Sequence, residues 1–403
     1  MAQEPLISRR AVLQAAALGA GGLVLGACVP SASAPPGSAG ASPNLSQPPP
    51  SNAATSAASA AAIPLRRRIA RLLVVGFRGL RVSADDWIAQ AIAVDGLGGV
   101  ILFDKDRSEA TRNIRTQRQV TRLISDVKAL APARELFVAI DQEGGQVTRL
   151  SPTYGFPAVA SEAAIGPKTE AEVRAWADGL VATLADVGVN LNLAPVVDLN
   201  VNPKNPAIGA LGRAFSADAA IVAKDAAIEI QAHRMANVRT TLKHFPGLGS
   251  ASTNTDFGVS DVTSTWTQTE LDPYRALLGQ GLVDVVMAGH VVNGQIDPSA
   301  PASLSRGTVT DLLREELGWD GVVITDDLQA GAITEAFGAD DAIALALDAG
   351  NDLLLFANQQ VYDSDVVTKT IDLIEGFVTS GRIPEGRIDR SYARVTSLFP
   401  DLG

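Results

Sequence analysis

Residues 243–256 read KHFPGLGSASTNTD. A lysine and a histidine open the stretch, a glycine-rich run follows, and a single carboxylate, Asp256, closes it. Such a run is either a loop that carries a carboxyl group to a reacting bond or a polar turn between two elements. Other polar residues share its setting. Asp104, Asp141, Asp198, His290 and the pair Asp326 and Asp327 each end a short apolar run, as Lys243 and His244 do. A solvated loop would explain any one of them, but chance would scatter charges over both ends of the runs. There is no HExxH, no cysteine cluster and no close grouping of carboxylates with histidines, so neither a metal nor another cofactor is expected.

Something must hold these residues together. Apolar runs suited to strands occur at 71–77, 98–104, 135–141, 189–199, 238–245, 283–290, 321–328 and 351–356. Helical patterns lie between them, including 170–187, 216–236 and 308–317, with Ser216 and Thr308 in N-cap positions for the last two. Continuous apolar strands alternating with helices imply a parallel sheet covered on both faces, and eight such units imply a closed (β/α)8 barrel of the TIM type. A doubly wound open sheet is the alternative. In a barrel, the C-terminal strand ends and their loops form the reactive face, and these polar residues all fall there.

The N-terminus obeys other rules. Ser8-Arg9-Arg10 precedes an apolar run that reaches Ala27, the pattern of an export signal, and Leu25-Gly26-Ala27-Cys28 resembles the lipobox at which bacterial lipoproteins are cut and acylated. Residues 1–28 are therefore expected to be a twin-arginine-like signal with Cys28 as the lipidation site. Cys28 is the only cysteine, so no internal disulfide can form. Residues 29–63 are rich in Pro, Ser and Ala, with no charge and no aromatic, and cannot offset the entropy of ordering. They are expected to form a disordered tether, with 64–403 as a single catalytic domain. A net charge of −11 argues against nucleic acid as a partner. Membrane contact is expected only through the lipid anchor, on the extracytoplasmic face, and the folded part is expected to be monomeric.

The stretches DQEGGQVTRL (141–150), NLAPVVDLN (192–200), GRAF (212–215), KHFPGLG (243–249), MAGH (287–290) and ITDDL (324–328) occur in the order and spacing of glycoside hydrolase family 3. The chain resembles its single-domain branch, the β-N-acetylglucosaminidases, over nearly all of 64–403. The resemblance implies retaining hydrolysis of a β-glycosidic bond through a covalent glycosyl-enzyme, with carbohydrate as the partner and Asp326 matching the family nucleophile. It also carries substrate binding onto Asp141, Arg149, Arg213, Lys243 and His244, while Glu143 is expected to support the DQEGG loop. A β-glucosidase of the same family would keep the chemistry and change the sugar.

One loop departs from the family pattern. Relatives have KHFPGHG followed by Asp-Ser-His, a dyad in which the histidine is the acid/base. Here Leu248, Asn254, Thr255 and Asp256 stand at those positions, and the chain has only three histidines, none in that loop. Either Asp256 is a carboxylate acid/base, or proton donation is lost and the protein binds sugar without efficient turnover. An exported enzyme of this kind would meet the cell wall, whose glycan contains N-acetylglucosamine. Cys28→Ala is expected to release the protein from the membrane fraction with the folded domain intact; unchanged membrane association on fractionation would refute the anchor.

Overall fold

A computed structural model describes residues 63–359 and 361–400. The expected signal and all but the last residue of the tether lie outside the described residues, as does Cys28. The eight expected strands are all present, as β1 (Leu73–Gly76), β2 (Gly99–Leu102), β3 (Phe137–Ile140), β4 (Leu191–Asn192), β5 (Arg239–Phe245), β6 (Val285–Ala288), β7 (Val322–Thr325) and β8 (Leu354–Phe356). They pair in parallel from β7 back through β1 to β8. The ring closes where Ile324 bridges Leu353. Every residue of β1, β2, β3, β6, β7 and β8 is buried, because the inner face fills the barrel and the outer face lies under helices.

The strands are shorter than the apolar runs. The fourth departs most: its apolar run spans 189–199, but regular pairing stops after Asn192. Pro195 has no N–H to give to a ladder, and pairing resumes only as a bridge between Val196 and Lys243. Beyond Pro195 the chain is irregular and buried, and it carries Asp198 into the barrel mouth.

The helix at Glu170–Val187 has a full capping box in Thr169 and Glu172 and stops at Gly188, whose φ of 90° suits glycine. Two expected caps move by a few residues. The helix Ala219–Met235 is capped by Asp218, which accepts from the Ala220 N–H, while Ser216 Oγ accepts from the Asp218 N–H one step earlier. The wider-wound helix Gly307–Glu316 begins ahead of Thr308, and the Ser305 hydroxyl accepts the Thr308 N–H. In both cases a short hydroxyl or carboxyl side chain still satisfies the first turn.

The seam between β7 and β8 has an anchor of its own. Asp352, fully buried, accepts from Val323 N at 3.0 Å, Arg314 Nη2 at 2.6 Å and Ser391 Oγ at 2.6 Å. A buried carboxylate with so many donors, one of them charged, fixes its neighbours. Here it fixes the strand whose end carries Asp326. Among the described residues, no helix is long and apolar enough to cross a membrane.

Candidate active site

The C-terminal ends of the strands open into a cleft of about 630 Å³. Asp141, Arg149, Arg213, Lys243, His244, Asp256 and Asp326 all line it, so the structure brings together every expected sugar-binding and catalytic candidate. Ile101, Leu193, Met287 and Leu355 supply an apolar floor.

One wall is a buried ion-pair cluster. Glu143, with a side chain 1% exposed, accepts from Arg213 Nε at 2.7 Å and Nη2 at 2.8 Å, and pairs with Lys243 Nζ at 2.6 Å. Burial would raise its pKa, but the two cations hold it well below the ordinary glutamate value. Lys243 also donates to Asp141 Oδ1 at 2.9 Å, and Asp141 lies 3.5 Å from Arg149. Burial pushes the Asp141 pKa up, and Lys243 and Arg149 more than reverse it. Glu143 does not line the cleft, which agrees with its expected supporting role. Arg213, expected as a substrate-binding residue, is locked into the wall by these bonds.

His244 is oriented by a residue outside the expected set. Asp198 Oδ2 lies 2.6 Å from His244 Nδ1, and the same carboxylate accepts the backbone N–H groups of His244 and Leu248. A carboxylate acceptor assigns the proton to Nδ1 and turns Nε2 toward Arg213 Nη2, 3.4 Å away. The strand-end rule marks Asp198, but its irregular strand hides how far it reaches. Asp104 also lines the cleft and accepts the Tyr154 hydroxyl at 3.3 Å.

The two candidate catalytic carboxyls differ in setting. Asp326 stands at the end of β7, where Oδ1 accepts the N–H of Asp327 at 2.8 Å. Burial works to raise its pKa, yet His290, His244, the Asp327 N–H and Lys243 together leave it below the ordinary aspartate value. Burial also holds His290 toward its neutral form, which weakens its part in this balance. His290 itself bridges Ser303 Oγ and the Asp327 carbonyl, each at 2.7 Å, and so fixes the backbone beside Asp326. Asp327 is pushed up to about 7, by burial first and then by Asp326, against the N–H bonds from Ala357 and Gln329.

Asp256 stands across the mouth. The Asn254 side chain accepts the Asp256 N–H at 2.9 Å, closing a local turn, and the loop is tied to the segment after β7 by Gly331 N to Asp256 O at 3.0 Å and Ala332 N to Thr255 O at 3.1 Å. Burial, then the negative Asp326, push the Asp256 pKa up against Arg107, Arg213 and His290. Protein crowds the carboxyl on one side, yet its side chain remains 56% exposed. Water therefore moderates the shift until a ligand covers the loop.

The model of the glycosyl hydrolase family 3 N-terminal domain matches residues 64–398. The chain therefore belongs to glycosyl hydrolase family 3 and is a glycosyl hydrolase. It is 35% identical over 317 residues to a β-hexosaminidase of Xanthomonas euvesicatoria, covering 76% of this chain and 87% of that protein. It is 32% identical over 369 residues to the β-hexosaminidase LpqI of Mycobacterium tuberculosis, covering 89% of each. Its fold superposes with a TM-score of 0.76, at 34% identity, on a family 3 β-N-acetylglucosaminidase from Paenibacillus sp. FPU-7, over 83% of this chain but only 62% of that one.

Glu270 is a support that no motif announces. Its Oε2 accepts the Gly249 N–H at 3.1 Å beneath the loop leading to Asp256, and a side chain on Gly247 would strike it. Burial, then Asp198, raise its pKa to about 8, against hydrogen bonds from Ser250 and Gly249. The folded state therefore holds a proton that the unfolded chain releases near the ordinary value of 4.5. Stability from this group is complete below that value and falls as pH rises toward 8, since the native state then binds more protons than the unfolded one. Glu270→Gln is expected to remove this slope, so that its denaturation midpoint gains on the parent's between about pH 5 and 8; parallel curves would rule the effect out.

Proposed function

We propose that the chain is a retaining β-N-acetylhexosaminidase that removes terminal β-linked N-acetylglucosamine, with Asp326 as nucleophile and Asp256 as acid/base. The observation that carries this reading is the opposed settings of the two carboxyls in one cleft. Asp326 is held toward its ionised form and Asp256 toward its protonated form, the division of labour that glycoside cleavage needs. The β-hexosaminidase names of the relatives support the choice of sugar.

In the first step an Asp326 oxygen attacks the anomeric carbon while the Asp256 proton passes to the departing oxygen, so the aglycone leaves as a neutral alcohol. In the second, ionised Asp256 takes a proton from water as the oxygen of that water displaces Asp326 from the anomeric carbon. Two inversions return the β-configuration. Asp141, Arg149, Arg213, Lys243 and His244 bind the sugar hydroxyls, and the ion-pair network holds them in place beforehand.

The proposal extends to place. The signal-like N-terminus and Cys28 support an extracytoplasmic lipoprotein, and peptidoglycan fragments are the substrate that such a position offers.

Asp326→Ala is expected to abolish turnover even of activated aryl N-acetylglucosaminides, and a fluorinated glycoside should label the parent on a peptide containing Ile324 to Leu328. Label elsewhere, an inverted product by NMR, or preference for the plain glucoside would defeat the assignment. Asp256→Asn is expected to slow substrates with poor leaving groups by about 10²- to 10⁴-fold. It should spare the glycosylation step of activated aryl glycosides. Equal rates for variant and parent on a natural disaccharide would make Asp256 a spectator and favour another acid. Sugar binding without turnover by the parent would favour a lectin-like role.

A further inference from the structure

Asp104 ends the apolar run of β2 and lines the cleft, yet it belongs neither to the ion-pair wall nor to the two candidate catalytic carboxyls. It is held loosely. Its Oδ2 accepts the Tyr154 hydroxyl at 3.3 Å, and its Oδ1 stands 3.9 Å from Arg149 Nη1. Arg149 Nη2 in turn lies 3.5 Å from Asp141 Oδ2. A guanidinium committed to a carboxylate closes to about 2.7–2.9 Å. The Arg149 guanidinium is instead steadied by the Phe103 ring, whose centroid is 5.2 Å from its carbon, and its Nε is buried with no hydrogen-bond partner among the described residues. Two carboxylates facing one arginine across gaps of this length, with a donor of that arginine still unpaired, leave hydrogen-bonding capacity that the protein does not use itself.

The order of the strands decides which end of a sugar meets these groups. β3 and β7 are four strands apart in a ring of eight, so Asp141 and Asp326, at their ends, face each other across the mouth. A pyranose whose C1 meets Asp326 therefore points C4, the opposite corner of its ring, at Asp141. C4 is flanked by C3, which carries a hydroxyl directly on the ring, and by C5, which carries a hydroxymethyl arm. Lys243 and His244 stand on one side of Asp141, at the end of β5, and are bound into the wall. Asp104 stands on the other side, two residues past the end of β2. Rigidly held groups suit a hydroxyl fixed on the ring. A carboxylate carried past its strand, with slack contacts, suits the arm, which turns about its own C–C bond. Burial, then Asp104, raise the Tyr154 pKa, so the phenol keeps its proton and remains a donor to Asp104.

We propose that Asp104, steadied by Tyr154, is a further substrate-binding residue: the 6-hydroxyl of the N-acetylglucosamine unit donates to Asp104 and accepts from Arg149, so that sugars with a free hydroxymethyl group are selected. This rests on Asp326 acting as nucleophile and on N-acetylglucosamine as the sugar above it. The group recognised lies on the sugar that Asp326 retains.

The test compares one aryl N-acetyl-β-glucosaminide, with an activated leaving group that needs little help from Asp256, with its 6-deoxy, 4-deoxy and 3-deoxy analogues. The readout is the ratio of kcat/KM for intact over deoxy sugar within each variant, so a general loss of folded enzyme or of Asp326 chemistry cancels. The parent is expected to favour the intact sugar over the 6-deoxy analogue by about 10- to 100-fold, the worth of a hydrogen bond to a charged group. Asp104→Ala should bring that ratio near one and leave the 4-deoxy ratio, which reports on Asp141, at the parent value. Asp104→Asn keeps the shape without the charge and should retain only part of the 6-deoxy ratio, and Tyr154→Phe should lower it severalfold. A parent that cleaves intact and 6-deoxy sugars alike overturns the proposal while leaving the hydrolase reading in place. A 6-deoxy ratio unchanged in both Asp104 variants, or a loss in Asp104→Ala confined to the 3-deoxy or 4-deoxy ratio, overturns it too, because the hydroxymethyl arm then belongs to another residue. Failure of the parent on all of these glycosides would defeat the hydrolase reading, and this inference with it.

Discussion

A carboxylate with 1% of its side chain in water remains ionised only if cations take the place of the solvent it lost. Glu143 meets that condition by receiving two bonds from Arg213 and the ammonium of Lys243. The three groups come from separate parts of the chain: the loop after β3, the irregular stretch after β4, and β5. Removing Glu143 would leave Arg213 without its carboxylate and Lys243 with Asp141 alone; breaking a buried pair of this kind costs about 3–5 kcal/mol. The shape of the cleft wall and the integrity of the barrel therefore depend on the same contact. Lys243 extends it to Asp141, and Arg213 extends it to His244.

The same cations shape the acid–base balance across the cleft. Lys243 helps hold Asp326 ionised, and ionised Asp326 is in turn one of the two main reasons Asp256 favours its proton. The separation of the two carboxyls' behaviour is thus inherited in part from the wall. The loop bearing Asp256 is also tied by backbone bonds to residues 331 and 332, a few positions beyond Asp326. Movement of one carboxyl relative to the other is restrained by the chain itself.

Much of this was legible in the sequence because the physics behind it is periodic or local. Continuous apolar runs gave eight strands, and the polar residues at their ends gave Asp141, Lys243, His244 and Asp326. The length of β4 was not legible, since apolar side chains continue past Pro195 although backbone pairing does not. Nor were Glu270 and the orienting role of Asp198, whose effects depend on burial and on partners far away in the chain. The helix caps were misplaced by a few residues because Ser216 and Asp218, or Ser305 and Thr308, are equally good cappers by type. Only the backbone path distinguishes them.

The loop that departs from the family pattern illustrates how one exchange can require another. A histidine acid is aided by an aspartate that steadies its positive form. A carboxyl acid has no positive form to steady, and a second anion beside it would only hold its proton more tightly. Asn254 is neutral, and its side chain is engaged in closing the turn on the Asp256 amide. The position has changed from an electrostatic partner to a conformational one. The proton affinity of the Asp256 carboxyl at the mouth depends on what covers it, on the charge of Asp326 below and on the cation of Arg107 beside it. Two of those three are fixed by the protein. The remaining one, the cover, changes when a ligand enters, so in this loop the proton affinity of Asp256 is coupled to ligand binding through desolvation.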